Sequence, residues 1–260
     1  MAGLANLLLA ALVVTVPATG KQGDYSFTGD YSITFLGLPV ASSTFNSTFK
    51  DGAYSVKGAF SASGLARLFD DTKGSISSSG RIEGDDIRPS RFHSSYTSGK
   101  KASTIDVRFQ GGNVVSTEVT PKPKKRGSDW LPIGAADLKG VVDPITATVI
   151  SAESLEKVCG RTVKLYDSEM RANLKLTHDS TGSISVQGYE GPTVTCSMRF
   201  EPVSGYRKGR KALEFLRNKS RIMVTFAPLG QTGVYAPIYA TVGTQIGTIT
   251  IRARRFEVTK

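Results

Sequence analysis

The side chains that could do chemistry in this 260-residue chain are few and scattered. His93 and His178 are its only histidines, far apart in sequence and each alternating with apolar neighbours. A zinc site needs further ligands at set spacing, so no metal is predicted. Asp70-Asp71 and Asp85-Asp86 are the paired carboxylates that glycan hydrolysis could use. That chemistry requires two carboxyl groups ~5–9.5 Å apart across a cleft, whereas neighbours on a turn face apart and read as solvated charges. His178-Asp179 lies beside serine-rich strands, but serines are too common here for a triad to be inferred. Gly-x-Ser-x-Gly, the P-loop, the dinucleotide glycine fingerprint and His-Glu-x-x-His do not occur. No catalytic residue and no cofactor is therefore predicted, and a hydrolase using loop carboxylates stands only as an alternative.

The first twenty residues suggest where the chain works. Leu4–Val16 is apolar and uncharged and runs into Pro17-Ala18-Thr19-Gly20 before the first lysine. Such a run is too short to cross a bilayer and ends in small residues, so residues 1–20 are expected to be a signal peptide. The remainder, 21–260, is expected to be one periplasmic domain. No later apolar stretch approaches the ~20 residues of a membrane helix, so no span is expected after cleavage. The formal net charge is +11. It predicts an acidic partner, with lipid or lipopolysaccharide ahead of nucleic acid, which export disfavours. Cys159 and Cys196 are an even pair without Cys-x-x-Cys spacing, so a structural disulfide is expected in an oxidising compartment.

Period-2 alternation is the main structural signal. In Thr104–Phe109 the apolar residues Ile105, Val107 and Phe109 share one face. In Thr193–Phe200 the face carries Val194, Cys196, Met198 and Phe200, so these residues are expected to line a barrel interior. Strands are predicted over 170–178, 182–189, 193–203 and 245–258, among others. Turns are expected at Lys50-Asp51-Gly52, Gln110-Gly111-Gly112-Asn113 and Asp179-Ser180-Thr181-Gly182. The last strand changes phase between Ala253 and Phe256, which predicts a bulge near Arg254-Arg255. Two short helices are expected. One starts at Asp143-Pro144, an N-cap followed by proline, and runs to about Ser154. The other covers about Lys208–Asn218, where Arg207, Lys208, Arg210, Lys211 and Arg217 surround a short apolar stripe. It reads as a lid over one barrel end, whose cationic face can contact an anionic surface. Residues 121–134, opening on Pro121-Lys122-Pro123-Lys124-Lys125-Arg126, are expected to be a solvated loop.

Several short blocks resemble one family. They are Tyr31-Ser32-Ile33 with Leu36-Gly37-Leu38-Pro39-Val40-Ala41, then Ser79-Gly80-Arg81-Ile82 leading to Arg88-Pro89-Ser90-Arg91-Phe92. Asp143-Pro144-Ile145-Thr146-Ala147, Cys159-Gly160, Leu165-Tyr166-Asp167, Val194-Thr195-Cys196 and Gly205-Tyr206 follow. The chain resembles the DUF3108 family, exported proteobacterial proteins defined only as a domain of unknown function. The family tends to continue Tyr/Phe-Asp with Gly-Arg, whereas here Asp167 is followed by Ser168-Glu169-Met170-Arg171. The resemblance implies a periplasmic β-rich fold. It is more distantly similar to open spiral barrels linked to envelope integrity and lipoprotein carriage, and it brings no catalytic residues. The expected molecule is mainly β, an antiparallel, partly open spiral barrel with two short helices. Its expected role is non-enzymatic, binding a lipidic ligand or a periplasmic protein and contributing to envelope integrity. A scaffold without a ligand cavity is the alternative.

Overall fold

Alternating strands separated by tight turns pair with the next strand in sequence, and most of the sheet is built this way. The computed structural model describes residues 24–64 and 71–260; the expected signal peptide and Asp70 lie outside the described residues. Strands β1 (Tyr25–Phe35), β2 (Leu38–Lys50), β3 (Ala53–Ala62), β4 (Lys73–Glu83), β5 (Asp86–Ser98), β6 (Lys101–Gln110) and β7 (Asn113–Thr120) form an antiparallel meander. A long connection carries the two-residue strands β8 (Trp130–Leu131) and β9 (Ile150–Ser151). The chain then forms β10 (Arg161–Tyr166), β11 (Arg171–Val186), β12 (Tyr189–Ser204) and β13 (Tyr206–Arg207). Helix α1 (Lys211–Asn218) leads to β14 (Ile222–Pro228), β15 (Val234–Thr244) and β16 (Gly247–Thr259). Because β16 pairs with β1, one 14-stranded sheet runs from β10 through β11, β12, β14, β15, β16 and β1 to β7, with β9 paired to β15.

The sheet curls but does not close, leaving β7 and β10 as its edges. An unpaired edge exposes a row of backbone donors and acceptors. Here the segment just before Asp143 laces the two edges together. Val141 N donates to Gly112 O (3.0 Å), Val142 N to Lys164 O (2.8 Å), and Tyr166 N to Val142 O (2.9 Å). The hydroxyls of Thr117 on β7 and Tyr166 on β10 meet at 3.1 Å.

Asp143, fully buried, anchors this lace. Its carboxylate accepts from Ile145 N (2.9 Å), Thr146 N (3.0 Å), Thr146 Oγ1 (2.5 Å) and Ser78 Oγ (2.8 Å). The Tyr54 hydroxyl closes the cluster at 2.7 Å from Thr146 Oγ1. Strands β3 and β4 therefore hold the plugging segment through its polar atoms, and the buried groups satisfy one another.

The expected helix over 143–154 does not form. Asp143 caps a turn as predicted, but only a single 3-10 turn follows, at Thr146–Thr148. The β-branched run Thr146, Thr148, Val149 and Ile150 favours extension. Ile150-Ser151 is captured as β9 by Tyr235 and Val234. One α-helix is present among the described residues, against two expected. The turn expected at Asp179–Gly182 is also absent. Strand β11 runs through it as one 16-residue strand, and Asp179 is absorbed as a bulge opposite Cys196 and Thr195. The bulge expected near Arg254 is found: Asp30 pairs with Arg255 and Tyr31 with Ala253, leaving Arg254 as the extra residue.

Two apolar cores lie on opposite faces of the central strands. On β15, Val234 and Ala236 belong to the first core and Tyr235 to the second; on β14, Ala227 and Phe226 divide likewise. The first core fills the curl of β1–β7 with residues including Phe27, Tyr54, Phe92, Ile238 and Phe256. The second lies between β10–β14 and the returning connection. There Cys159 and Cys196 form a disulfide with 5.8 Å between Cα atoms.

Three measurements test these devices. The bridge closes a separation of 37 residues. Loop-closure entropy then gives an expected loss of roughly 4 kcal/mol for Cys159→Ala/Cys196→Ala in urea unfolding. Burial pushes the Asp143 carboxyl above its usual range despite the hydrogen bonds from Thr146, Ser78 and Ile145. The linked stability is thus fully present below the ordinary carboxylate range and is lost as pH rises through the raised folded value. Asp143→Asn is expected to flatten that decline in unfolding midpoints measured across pH. In the β10–β11 turn, Asp167 Oδ1 accepts from Glu169 N and Met170 N while Ser168 sits at φ +88°, a conformation that suits glycine. Ser168→Gly should raise the unfolding free energy by about 1 kcal/mol.

Candidate functional site

Leu36 and Gly37 are the two central residues of the β1–β2 hairpin, at φ +51° and +83°. Two successive positive values define the turn that matches strand twist, and its first position favours Asn, Asp or Gly. A leucine there is strained, and its side chain is 63% exposed. Leu38 beside it is 58% exposed and Ile246 on the β15–β16 turn 78%. Strand β1 pairs with both β2 and β16, which brings the two turns together. Leu36 N donates to Thr248 O at 3.1 Å. A Cβ at Gly247 would lie 2.6 Å from Leu36 Cδ2, so the leucine rests directly on that backbone. Three apolar tips thus share one end of the sheet.

Helix α1 borders the same end. Leu213, Phe215 and Leu216 are half-buried, leaving its charged residues in water. Gln245 Nε2 donates to Lys211 O (3.3 Å) and Ser220 Oγ to Gly243 O (2.7 Å), tying both ends of the helix region to the β15–β16 hairpin. Of the cations singled out in the sequence, Arg207 pairs with Asp129 at 3.2 Å. Lys208, Arg210 and Lys211 are exposed and make no ion pair among the described residues. Arg217 lies on the side of α1 that faces β12 and β14, lining a cleft. The basic helix is therefore a strap along one rim, beside exposed leucines that sequence reasoning had not read as a site. The available signal was Leu-Gly in a two-residue turn.

The expected interior residues fall into two places. Val107 and Phe109 are buried in the first core with Ile105 packed against it; Val194 is buried in the second, with Met198 and Phe200 packed against that one. His93 Nδ1 lies 3.2 Å from Asp106 Oδ2, which Arg91 also holds at 2.6 Å. Partial burial opposes ionisation of Asp106, but bonds and charge from Arg91 and His93 hold its carboxyl below the usual range. His178 is exposed opposite Cys196 on the neighbouring strand. Asp71 accepts from Gly99 N at one end of β4, and Asp85-Asp86 follow its other end. An 11-residue strand separates them by roughly 35 Å, too far to flank one glycosidic bond. Ser78, Asp143, Thr146 and Tyr54 also meet in hydrogen-bond contact, yet they are buried and have no histidine among them. A cleft of about 680 Å³ opens beside the lace at the opposite end from the leucines. Arg88, Lys157, Arg161 and Lys164 border it together with Asp85 and Asp86.

The fold is shared with a solved β-barrel-like protein of the DUF1849 domain from Brucella abortus. The two are 12% identical and superpose over 91% of this chain and 98% of that one at a TM-score of 0.56. A candidate lipoprotein from Parabacteroides distasonis aligns over 91% of this chain and 96% of its own at 9% identity and a TM-score of 0.35. No curated protein matches the sequence. The disulfide points to an exported protein. The family profile described as a protein of unknown function, DUF3108, matches residues 30–254, and the chain belongs to that family.

Proposed function

We propose that this is a non-enzymatic periplasmic envelope protein that holds to an anionic lipid surface through the rim formed by its leucine turns and basic helix. The observation that carries this reading is Leu36, an exposed leucine kept in a left-handed turn position. Strain and exposure both oppose it in the isolated protein, a cost that a contact outside the chain would offset. Leu38 and Ile246 extend the apolar tip, and Lys211, whose carbonyl accepts from Gln245, stands beside it with Lys208 and Arg210 just before it in the chain. Apolar residues that enter the acyl boundary while cations meet head groups are the two parts of interfacial binding. Each cation near an anionic surface contributes about 1 kcal/mol. Each buried leucine or isoleucine tip adds about 2 kcal/mol.

The packed interior favours contact with a surface over carriage of a lipid within the barrel. Phe256, Ile238, Val107 and Leu229 are among the fully buried side chains that occupy it. The rim reading also uses the unpaired positive charge, which a scaffold role leaves unexplained.

Leu36→Asn separates a structural from a functional role, because asparagine suits the turn and removes the apolar tip. The variant is expected to melt at a higher temperature than the native protein. It should also bind phosphatidylglycerol-containing vesicles about thirtyfold more weakly in co-sedimentation. Binding of the native protein should weaken with added salt and be absent for pure phosphatidylcholine vesicles. If the native protein stays in the supernatant with both vesicle types, the reading fails.

A further inference from the structure

A second feature lies beneath the basic helix. Between α1 and the strands β11, β12 and β14 is a cleft of about 360 Å³. Four of its lining residues are cations: Lys175, Arg199, Arg217 and Arg221. Asp179 is its one carboxylate. Lys175, Arg217 and Arg221 make no ion pair among the described residues, and Arg199 reaches only Glu201, at 3.9 Å. The Asp179 carboxylate accepts from Ser180 Oγ at 3.1 Å and leaves the cleft with an excess of positive charge. The Thr177 hydroxyl adds a neutral donor, and Leu216 and Met223 give the wall an apolar part.

Cations gathered from a helix, a linker and two strands repel one another, and within the cleft only Asp179, with Glu201 3.9 Å from Arg199, stands against their four charges. The end of α1 that faces the cleft would itself disfavour an anion through its carbonyls. Phe215 O accepts from Lys219 N (2.8 Å) and Ser220 N (2.9 Å), and the full charges of Arg217 and Arg221 outweigh the partial charge on the remaining carbonyls. A tetrahedral oxyanion matches two guanidinium groups and an ammonium, since it presents several acceptors to donors arriving from different directions.

We infer that the cleft beneath α1 binds a phosphate ester, with Arg217 and Arg221 as its principal donors and Lys175 and Arg199 at its mouth. This deepens the lipid-surface reading and rests on it for the source of the phosphate, a lipid head group. Leu216 and Met223 would lie against the glycerol or first methylenes that a free phosphate lacks.

The test titrates the full chain with glycerol 3-phosphate and, below its micelle concentration, with a short-chain phosphatidylglycerol, following backbone amide shifts by NMR. Both ligands are expected to shift the amides of residues 216–223, with the lipid about tenfold tighter for its extra apolar contact. Arg217→Gln/Arg221→Gln should weaken both by about tenfold or more. Leu36→Asn should leave both titrations unchanged even though it weakens vesicle binding, so failure of the rim and failure of the cleft are read separately. Equal affinity for the two ligands would overturn the head group as the source while retaining the phosphate site. Shifts absent for both ligands, or unchanged in the double variant, would overturn the site.

Discussion

The unclosed edge governs this structure. A sheet of this many strands must curl, and curling brings β7 and β10 near each other without letting them pair. The chain resolves this with the segment that links its two halves, whose backbone satisfies the facing edges and whose next residue, Asp143, is driven into the core. A charged group at that depth would be costly alone. Four donors around it make it a specific fastener.

From that fastening follows the division of the apolar residues. Once the connection is held inside the seam, its continuation through Ile150 and Ala152 to Cys159 must cross the far face of β14 and β15. Those strands then bury both faces. This explains why Phe226 and Ala227, or Val234 and Tyr235, are all apolar in succession. The meander β1–β7 buries one face only and keeps a clean alternation. The disulfide sits where the crossing connection meets β12 and keeps the second layer against the sheet.

Much of this was legible in sequence where local rules act alone. The strands follow from period two, and the phase change between Ala253 and Phe256 located the Arg254 bulge. The helix expected after Asp143 was not legible, because its capping signal is genuine and only the partnership of Ile150-Ser151 with a distant strand cuts it short. The split of Val107 and Val194 into separate cores was hidden for a related reason: parity tells which residues share a face, not which layer covers it. The turn read at Asp179–Gly182 shows a long strand absorbing a turn-forming sequence when both neighbours pair through it. The rim was hidden because Leu36 and Ile246 meet only when β1 and β16 pair.

That pairing has a consequence for how the molecule is made. Strand β16 lies beside β1 in the middle of the sheet, with Phe27 opposite Val258 and Ile33 opposite Ile251. The earliest and latest described strands are thus neighbours at the centre, and the junction of the two wings waits for contacts spanning nearly all of the described residues. Such remote closures are slow, because the entropy of a very long loop is lost before any contact forms. A nascent chain can assemble its meander early, but it remains two unjoined flaps until β16 arrives.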